Sequence, residues 1–207
     1  MIDNVGVVGA GLMGAEIALV SALAGKDVIL SDTTQDALDR AIAKLATVLD
    51  KGIQRGFFRE EQKAEALGRI RTSVDLAAHA DRDLVIEAVF ENEDVKAAVF
   101  RQLDTICKPD AYIASNTSTI SITTLASYVA AERRVNFVGT HFFSPVSRMK
   151  LVEVIPGIDT GDGTVGVAMD FCREIGKTPI RVKDVVGFAV NRMLHVFMIE
   201  AVRLVEE

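Results

Sequence analysis

The sequence predicts an α/β fold, a doubly wound and mostly parallel sheet with a helical insertion after its second strand. Three observations lead there. Short apolar runs of strand length alternate with amphipathic helical stretches along most of the chain. The first run, Val5-Gly6-Val7-Val8, passes straight into Gly9-Ala10-Gly11-Leu12-Met13-Gly14 and then into an apolar stretch, Ile17 to Leu23, at helical spacing. The next run, Val28 to Ser31, ends in Asp32. A G-x-G-x-x-G string between a strand and a helix, with an acid about 20 residues on, marks a dinucleotide-binding unit of the Rossmann type.

Within that unit Gly9 makes the tight turn, Gly11 lets a pyrophosphate approach the backbone, and Gly14 lets the helix pack on the strand. Ala10, Leu12 and Met13 complete the turn, and the helix N-terminus offers free N–H groups and partial positive charge to the phosphates. The Asp32 carboxylate suits a ribose 2′-hydroxyl and repels a 2′-phosphate. Thr33 and Thr34 follow it, with no Arg to receive a phosphate, so NAD is expected rather than NADP.

The remaining elements follow in order. Thr33 or Thr34 caps a second helix with Asp36 in its first turn. Leu38, Ile42, Leu45 and Leu49 form its apolar stripe, and it ends near Gly52 to Gly56. A short helix over Glu60 to Leu67 completes the insertion before a third strand near Ile70 to Thr72. Eight basic residues from Arg40 to Arg71 stand there against four acidic ones. Lys51 and Arg55, four apart, share a helix face. Such a surface is either plainly solvated or a patch for a phosphorylated substrate handle.

A fourth strand, Leu84 to Ile86 with Ala88-Val89, is apolar throughout, as a strand buried on both faces must be. Past Glu91-Asn92, a helix runs from Asp94 to Ile106 and Pro109 closes it. A fifth strand, Tyr112 to Ala114, runs into Ser115-Asn116-Thr117-Ser118-Thr119. A polar run at a parallel strand end is either a site or helix-capping chemistry. Asn136 to Thr140 is a sixth strand, followed by His141-Phe142-Phe143-Ser144-Pro145. Leu151 to Pro156 is a seventh strand, Gly163 to Ile175 a helix, and Pro179 to Val182 an eighth strand. With little between His141 and Leu151, an antiparallel edge is expected. From Ala189 to Glu207 the pattern is a helix apolar over most of its circumference, which must be buried. The chain therefore reads as cut at the beginning of a second, helical domain, or as needing a partner chain. The expected division is residues 1–186 for the nucleotide domain and 187–207 for the start of an all-α C-terminal domain.

Composition narrows the classes. The 207 residues are 49% hydrophobic and 25% charged, which suits a folded core rather than disorder. A net charge of −6 argues against nucleic acid as a partner. No apolar run reaches bilayer length, so no membrane association is expected. Met1-Ile2-Asp3-Asn4 enters the first strand without a basic-then-apolar leader. Cys107 and Cys172 sit in apolar helical patterns with no C-x-x-C, as reduced core thiols of a cytoplasmic protein would. No metal is expected.

The reaction is read from His141. Hydride transfer from an alcohol leaves a proton to remove, and imidazole is the usual base near neutral pH. Glu153, on the next strand, can meet His141 across a short loop, fix its tautomer and offset its charge. His79, in a polar Ala/Asp stretch, and His195, on the terminal helix, have no such partner and are read as structural.

Taken together, Gly9-x-Gly11-Leu12-Met13-Gly14, Glu87 to Asn92, Ser115 to Ser118, His141 to Pro145, Met149 to Ile155 and Gly187-Phe188-x-x-Asn191-Arg192 resemble the L-3-hydroxyacyl-CoA dehydrogenase family, including 3-hydroxybutyryl-CoA dehydrogenases. The resemblance runs in order over the whole chain. It implies reversible, NAD-dependent oxidation of an (S)-3-hydroxyacyl-CoA to the 3-oxoacyl-CoA, by a two-domain enzyme that forms a homodimer through its helical C-terminal domain. It implies His141 as general base, Glu153 as its orienting partner, Ser118 on the substrate oxygen, and Asn191 as the amide that positions substrate and histidine. It implies cofactor contacts at Asp32, Glu91, Lys96, Ser118 and Ser144, with Glu91 and Lys96 at or near the adenosine and ribose side. Arg55 falls where relatives carry a CoA-binding basic residue, and Lys51 is a neighbouring candidate. Many relatives have Asn where Ser144 stands. Two other readings stay open: a β-hydroxyacid dehydrogenase acting on a free acid, and a non-catalytic dinucleotide-binding fragment used for oligomerisation.

Overall fold

The architecture is that of a computed structural model, which describes residues 2–207. The chain starts with β1 (Asn4–Val8), α1 (Leu12–Leu23) and β2 (Asp27–Ser31). The insertion is a helical pair, α2 (Gln35–Gln54) and α3 (Glu60–Gly68), followed by β3 (Ile70–Ser73). Then come β4 (Leu84–Glu87), α4 (Glu93–Ile106), β5 (Tyr112–Ser115), α5 (Ile122–Ala126) and β6 (Phe137–Phe142). The chain continues through β7 (Leu151–Pro156), α6 (Asp162–Glu174), β8 (Thr178–Arg181) and α7 (Val190–Glu206).

The eight strands form one sheet in the order β3-β2-β1-β4-β5-β6-β7-β8. Every pair from β3 to β6 is parallel, β6 and β7 are antiparallel, and β8 runs parallel to β7. The expected antiparallel edge is therefore the β7–β8 pair. Strand side chains alternate between two apolar layers. Val7, Leu30, Ile86 and Val138 pack with Ile17 of α1, Leu38 of α2 and Phe171 of α6. On the opposite face Val85, Ile113 and Phe137 pack with Phe100 and Leu103 of α4 and Leu125 of α5. Strand order reverses between β1 and β4, and doubly wound sheets open a crevice at such a point, beyond the strand C-termini. The glycine turn follows β1 into that crevice.

Two elements differ from the sequence reading, and a third agrees with it. β6 continues through His141 to Phe142, because antiparallel pairing with β7 carries the ladder past Thr140. The short α5 is new; Ser121 caps it and Asp184 accepts from the Ser121 hydroxyl and the N–H groups of Ile122 and Thr123. The terminal helix α7 is correct in extent, yet no residue in it is buried. Phe197 is 72% exposed and Leu204 69%. Met193, Val196 and Phe197 share an open groove with Val182, Val185 and Phe188, and the rest of its apolar surface stays uncovered by the described residues, in line with the expectation that a further domain or a partner chain is needed to bury it.

Candidate active site

The glycine turn has the shape that the spacing implies. Gly9 sits at φ 102, and a Cβ there would lie 2.6 Å from the Ala88 carbonyl oxygen. A Cβ on Gly11 would meet nothing within 4 Å, so that side of the turn is open. Ala10 donates its N–H to Asp32 Oδ2 at 2.7 Å, while Asp32 Oδ1 takes the Thr33 N–H, also at 2.7 Å. Asp32 thus ties the end of β2 to the turn after β1. Gly9, Gly11, Met13, Asp32, Phe90 and Val99 line part of a groove of about 800 Å³. Its open backbone face, its acid and its apolar walls fit a dinucleotide: pyrophosphate at Gly11, ribose at Asp32, adenine against the apolar side chains.

Further along the sheet, β6 and β7 place His141 directly opposite Glu153. Opposed residues of an antiparallel pair project to the same face. His141 Nδ1 lies 2.8 Å from Glu153 Oε2, and both side chains are buried. The other carboxylate oxygen, Oε1, accepts the N–H groups of Ala189 and Val190, each at 2.9 Å. Those are donors at the start of α7, where the helix leaves its N–H groups unpaired. Glu153 thus has a partner on each carboxylate oxygen and is shut off from bulk solvent. Phe143 and Phe188 flank the His141 ring, with centroids 4.5 and 5.7 Å away. Phe188 holds φ 47, an uncommon conformation for a bulky residue, just after Gly187 at φ 75. His141 Nε2 makes no hydrogen bond among the described residues and remains available to a ligand.

Ser118 and Asn191 come together: Asn191 Nδ2 donates to the Ser118 carbonyl at 3.2 Å, and the Ser118 hydroxyl and Asn191 Oδ1 make no hydrogen bond among the described residues. Glu91 fixes this corner by accepting the Ser118 N–H at 2.8 Å and the Thr117 hydroxyl at 2.5 Å. Burial alone would raise the Glu91 carboxyl; the Thr117 hydroxyl, Lys96 and the Ser118 N–H outweigh it and hold it below the usual carboxylate range. Lys96 is 1% exposed and reaches Glu87 at 2.6 Å and Glu91 at 3.2 Å. Its ammonium faces these two carboxylates inside the protein. Glu91 itself stands at the β4–β5 ends, across β1 from Asp32, rather than beside it on the side assigned to adenine. Ser144 is exposed beyond β6 and its side chain is unbonded among the described residues. Lys51 and Arg55, on α2 and at its C-cap, line a separate groove and do not meet the His141–Glu153 pair.

Sequence reasoning missed the two aromatic neighbours of His141 and the N–H donors on Glu153. It also missed Glu87, fully buried and bonded to Lys96, Val89 N and Ser115. An acid closing an apolar strand was the available signal for Glu87. His79, read as structural, is fully buried with Nε2 2.8 Å from Ser31 Oγ and Nδ1 unpartnered among the described residues.

Residues 4–185 match the family model described as 3-hydroxyacyl-CoA dehydrogenase, NAD binding domain. The chain belongs to the 3-hydroxyacyl-CoA dehydrogenase family. The matched span includes the glycine turn and Asp32. The chain is 43% identical over 202 residues to a protein of Deinococcus radiodurans named probable 3-hydroxybutyryl-CoA dehydrogenase, covering 98% of this chain and 72% of that one. It is 42% identical over 206 residues to the fatty acid oxidation complex subunit alpha of Idiomarina loihiensis, all of this chain but 28% of the relative. The crystal structure of 3-hydroxybutyryl-CoA dehydrogenase from Escherichia coli superposes with a TM-score of 0.95 at 38% identity, covering 100% of this chain and 43% of that one. The chain thus spans between about a quarter and three quarters of these relatives' lengths. No helix among the described residues is long and apolar enough to cross a membrane.

Proposed function

We propose that the protein catalyses reversible, NAD-dependent oxidation of an (S)-3-hydroxyacyl-CoA to the 3-oxoacyl-CoA. The observation that carries this reading is the His141–Glu153 pair at 2.8 Å, whose carboxylate is held from behind by two helix N–H groups. A carboxylate beside Nδ1 accepts a hydrogen bond from the ring N–H there, which keeps the proton on Nδ1 and leaves the Nε2 lone pair as the basic site. His141 Nε2 removes the 3-hydroxyl proton, and Glu153 offsets the charge that the ring acquires. The Ser118 hydroxyl and the Asn191 amide hold the C3 oxygen. Bound NAD supplies the hydride acceptor. In the reducing direction protonated His141 returns the proton.

Lys51 and Arg55 serve the CoA end of the substrate in this reading. A homodimer forms through the helical segment that begins at α7, whose apolar side chains are exposed. The buried free thiols Cys107 and Cys172, pushed up by burial to about 11 and about 12, suit a reduced cytoplasmic setting. The test is NADH consumption with acetoacetyl-CoA. His141→Gln should lower turnover by about 10²-fold or more while NADH affinity stays near its native value. Loss of NADH binding along with turnover would make His141 structural and sink the assignment.

A further inference from the structure

Lys51 and Arg55 form one wall of a groove of about 910 Å³, and Arg148 and Lys150 line the other. Among the described residues none of these four cations makes a salt bridge or a side-chain hydrogen bond. Elsewhere Lys26, Lys63, Lys96, Lys108 and Arg133 all take carboxylates. Unpaired cations that converge on one concavity from two elements repel each other, and a polyanion in the groove relieves that repulsion.

The turn that carries Arg148 is also held with unusual care for a surface loop. Glu16, on α1 and only 7% exposed, accepts the Ser147 N–H through Oε2 at 2.8 Å. Buried Lys177 donates to the carbonyls of Val146 and Met149. Within the turn, Arg148 and Met149 donate their N–H groups to Pro145, at 3.0 and 2.9 Å. The backbone is therefore fixed from below while the Arg148 and Lys150 side chains stay exposed at the groove. Glu16 lines the same groove and lies five residues past Gly11. One rigid helix thus sets both the nucleotide turn and this wall.

We propose that Arg148, with Lys150, binds phosphate groups of the CoA handle opposite Lys51 and Arg55, and that Glu16 is the positioning residue that fixes their turn. The proposal rests on the acyl-CoA reading above. It assigns the turn between β6 and β7, as well as the basic insertion, to substrate recognition.

Calorimetric titration of the protein with CoA, dephospho-CoA and NADH tests it. Arg148→Ala should weaken CoA about tenfold, the loss of one charge-assisted contact, with NADH affinity as the control for the fold. A loss confined to CoA puts Arg148 on the 3′-phosphate; an equal loss for dephospho-CoA puts it on the diphosphate. Both outcomes support the proposal. Glu16→Leu should weaken CoA by a similar factor, and Glu16→Gln, which keeps an acceptor for Ser147 N–H, should restore it. Native CoA affinity in Arg148→Ala overturns the proposal and leaves the acyl-CoA reading standing. NADH binding without CoA binding in the unmodified protein overturns both.

Discussion

Replacing Glu153 by Gln tests the catalytic pair with the least steric disturbance. Glu153 is fully buried, so its three hydrogen bonds have no water to replace them. A Gln has one acceptor and one donor end, and two placements compete. With its oxygen toward His141, its NH₂ group faces the N–H groups of Ala189 and Val190, and buried donors oppose one another at a cost of about 1–3 kcal/mol each. With its oxygen toward those N–H groups, its NH₂ faces Nδ1, and the imidazole can accept that bond by moving its own proton to Nε2. The second placement wins by on the order of 2 kcal/mol, about thirtyfold in population.

That placement moves the proton onto the nitrogen that must act as base. Turnover of acetoacetyl-CoA should fall by about 10²- to 10⁴-fold, because both tautomer and charge compensation are lost. NADH affinity should stay near native. The protein has three histidines, so ¹⁵N NMR of the labelled rings can read the tautomer of His141 directly. A Glu153→Gln protein that keeps its proton on Nδ1, or that turns over within about threefold of the native rate, would refute the reasoning.

Other expectations concern the nucleotide turn and the core. Gly11→Ala should leave the melting temperature unchanged, since the added Cβ meets nothing within 4 Å, yet weaken NADH about tenfold by obstructing the pyrophosphate. Gly14→Ala should instead lose about 2 kcal/mol or more of stability, because its Cβ would lie 1.9 Å from the Gly9 carbonyl oxygen. Equal melting temperatures for the two variants would contradict this division. Burial, then the charge of Arg82, lowers the His79 pKa from 6.5 to about 4. The unfolded chain therefore binds a proton there first, and stability drains away as pH falls from about 6.5 toward 4. The loss between pH 7 and pH 5 is about 2 kcal/mol, visible in urea unfolding, and His79→Gln should flatten that slope. An unchanged slope would mean that other groups carry the acid sensitivity.

The nucleotide half was legible because it depends on local signals: a strand, three glycines, a helix and an acid at fixed spacing. The dyad was legible because its two strands are neighbours in sequence. The end of β6 was not, since pattern reading stops at a polar residue and only the partner strand shows that His141 is still paired. Lys96 was reached through the family resemblance alone, because nothing local reveals that Glu87 and Glu91 converge on it from β4 and the loop beyond. The five-residue α5 is too short to show a period, and the acid that takes its first N–H groups, Asp184, lies some sixty residues away. For α7 the apolar pattern gave the helix and its need for cover, but not what covers it, because that depends on what lies alongside.

The hairpin that sets His141 against Glu153 has a consequence for how such a protein can diversify. The two residues meet through strand register, so residues added or removed at the tip between Phe143 and Lys150 leave the pair facing each other. A shift of one residue within either strand would instead send one partner to the opposite side of the sheet. Proton transfer is thereby anchored in the rungs of the ladder, while the reach toward different molecules can drift at its tip.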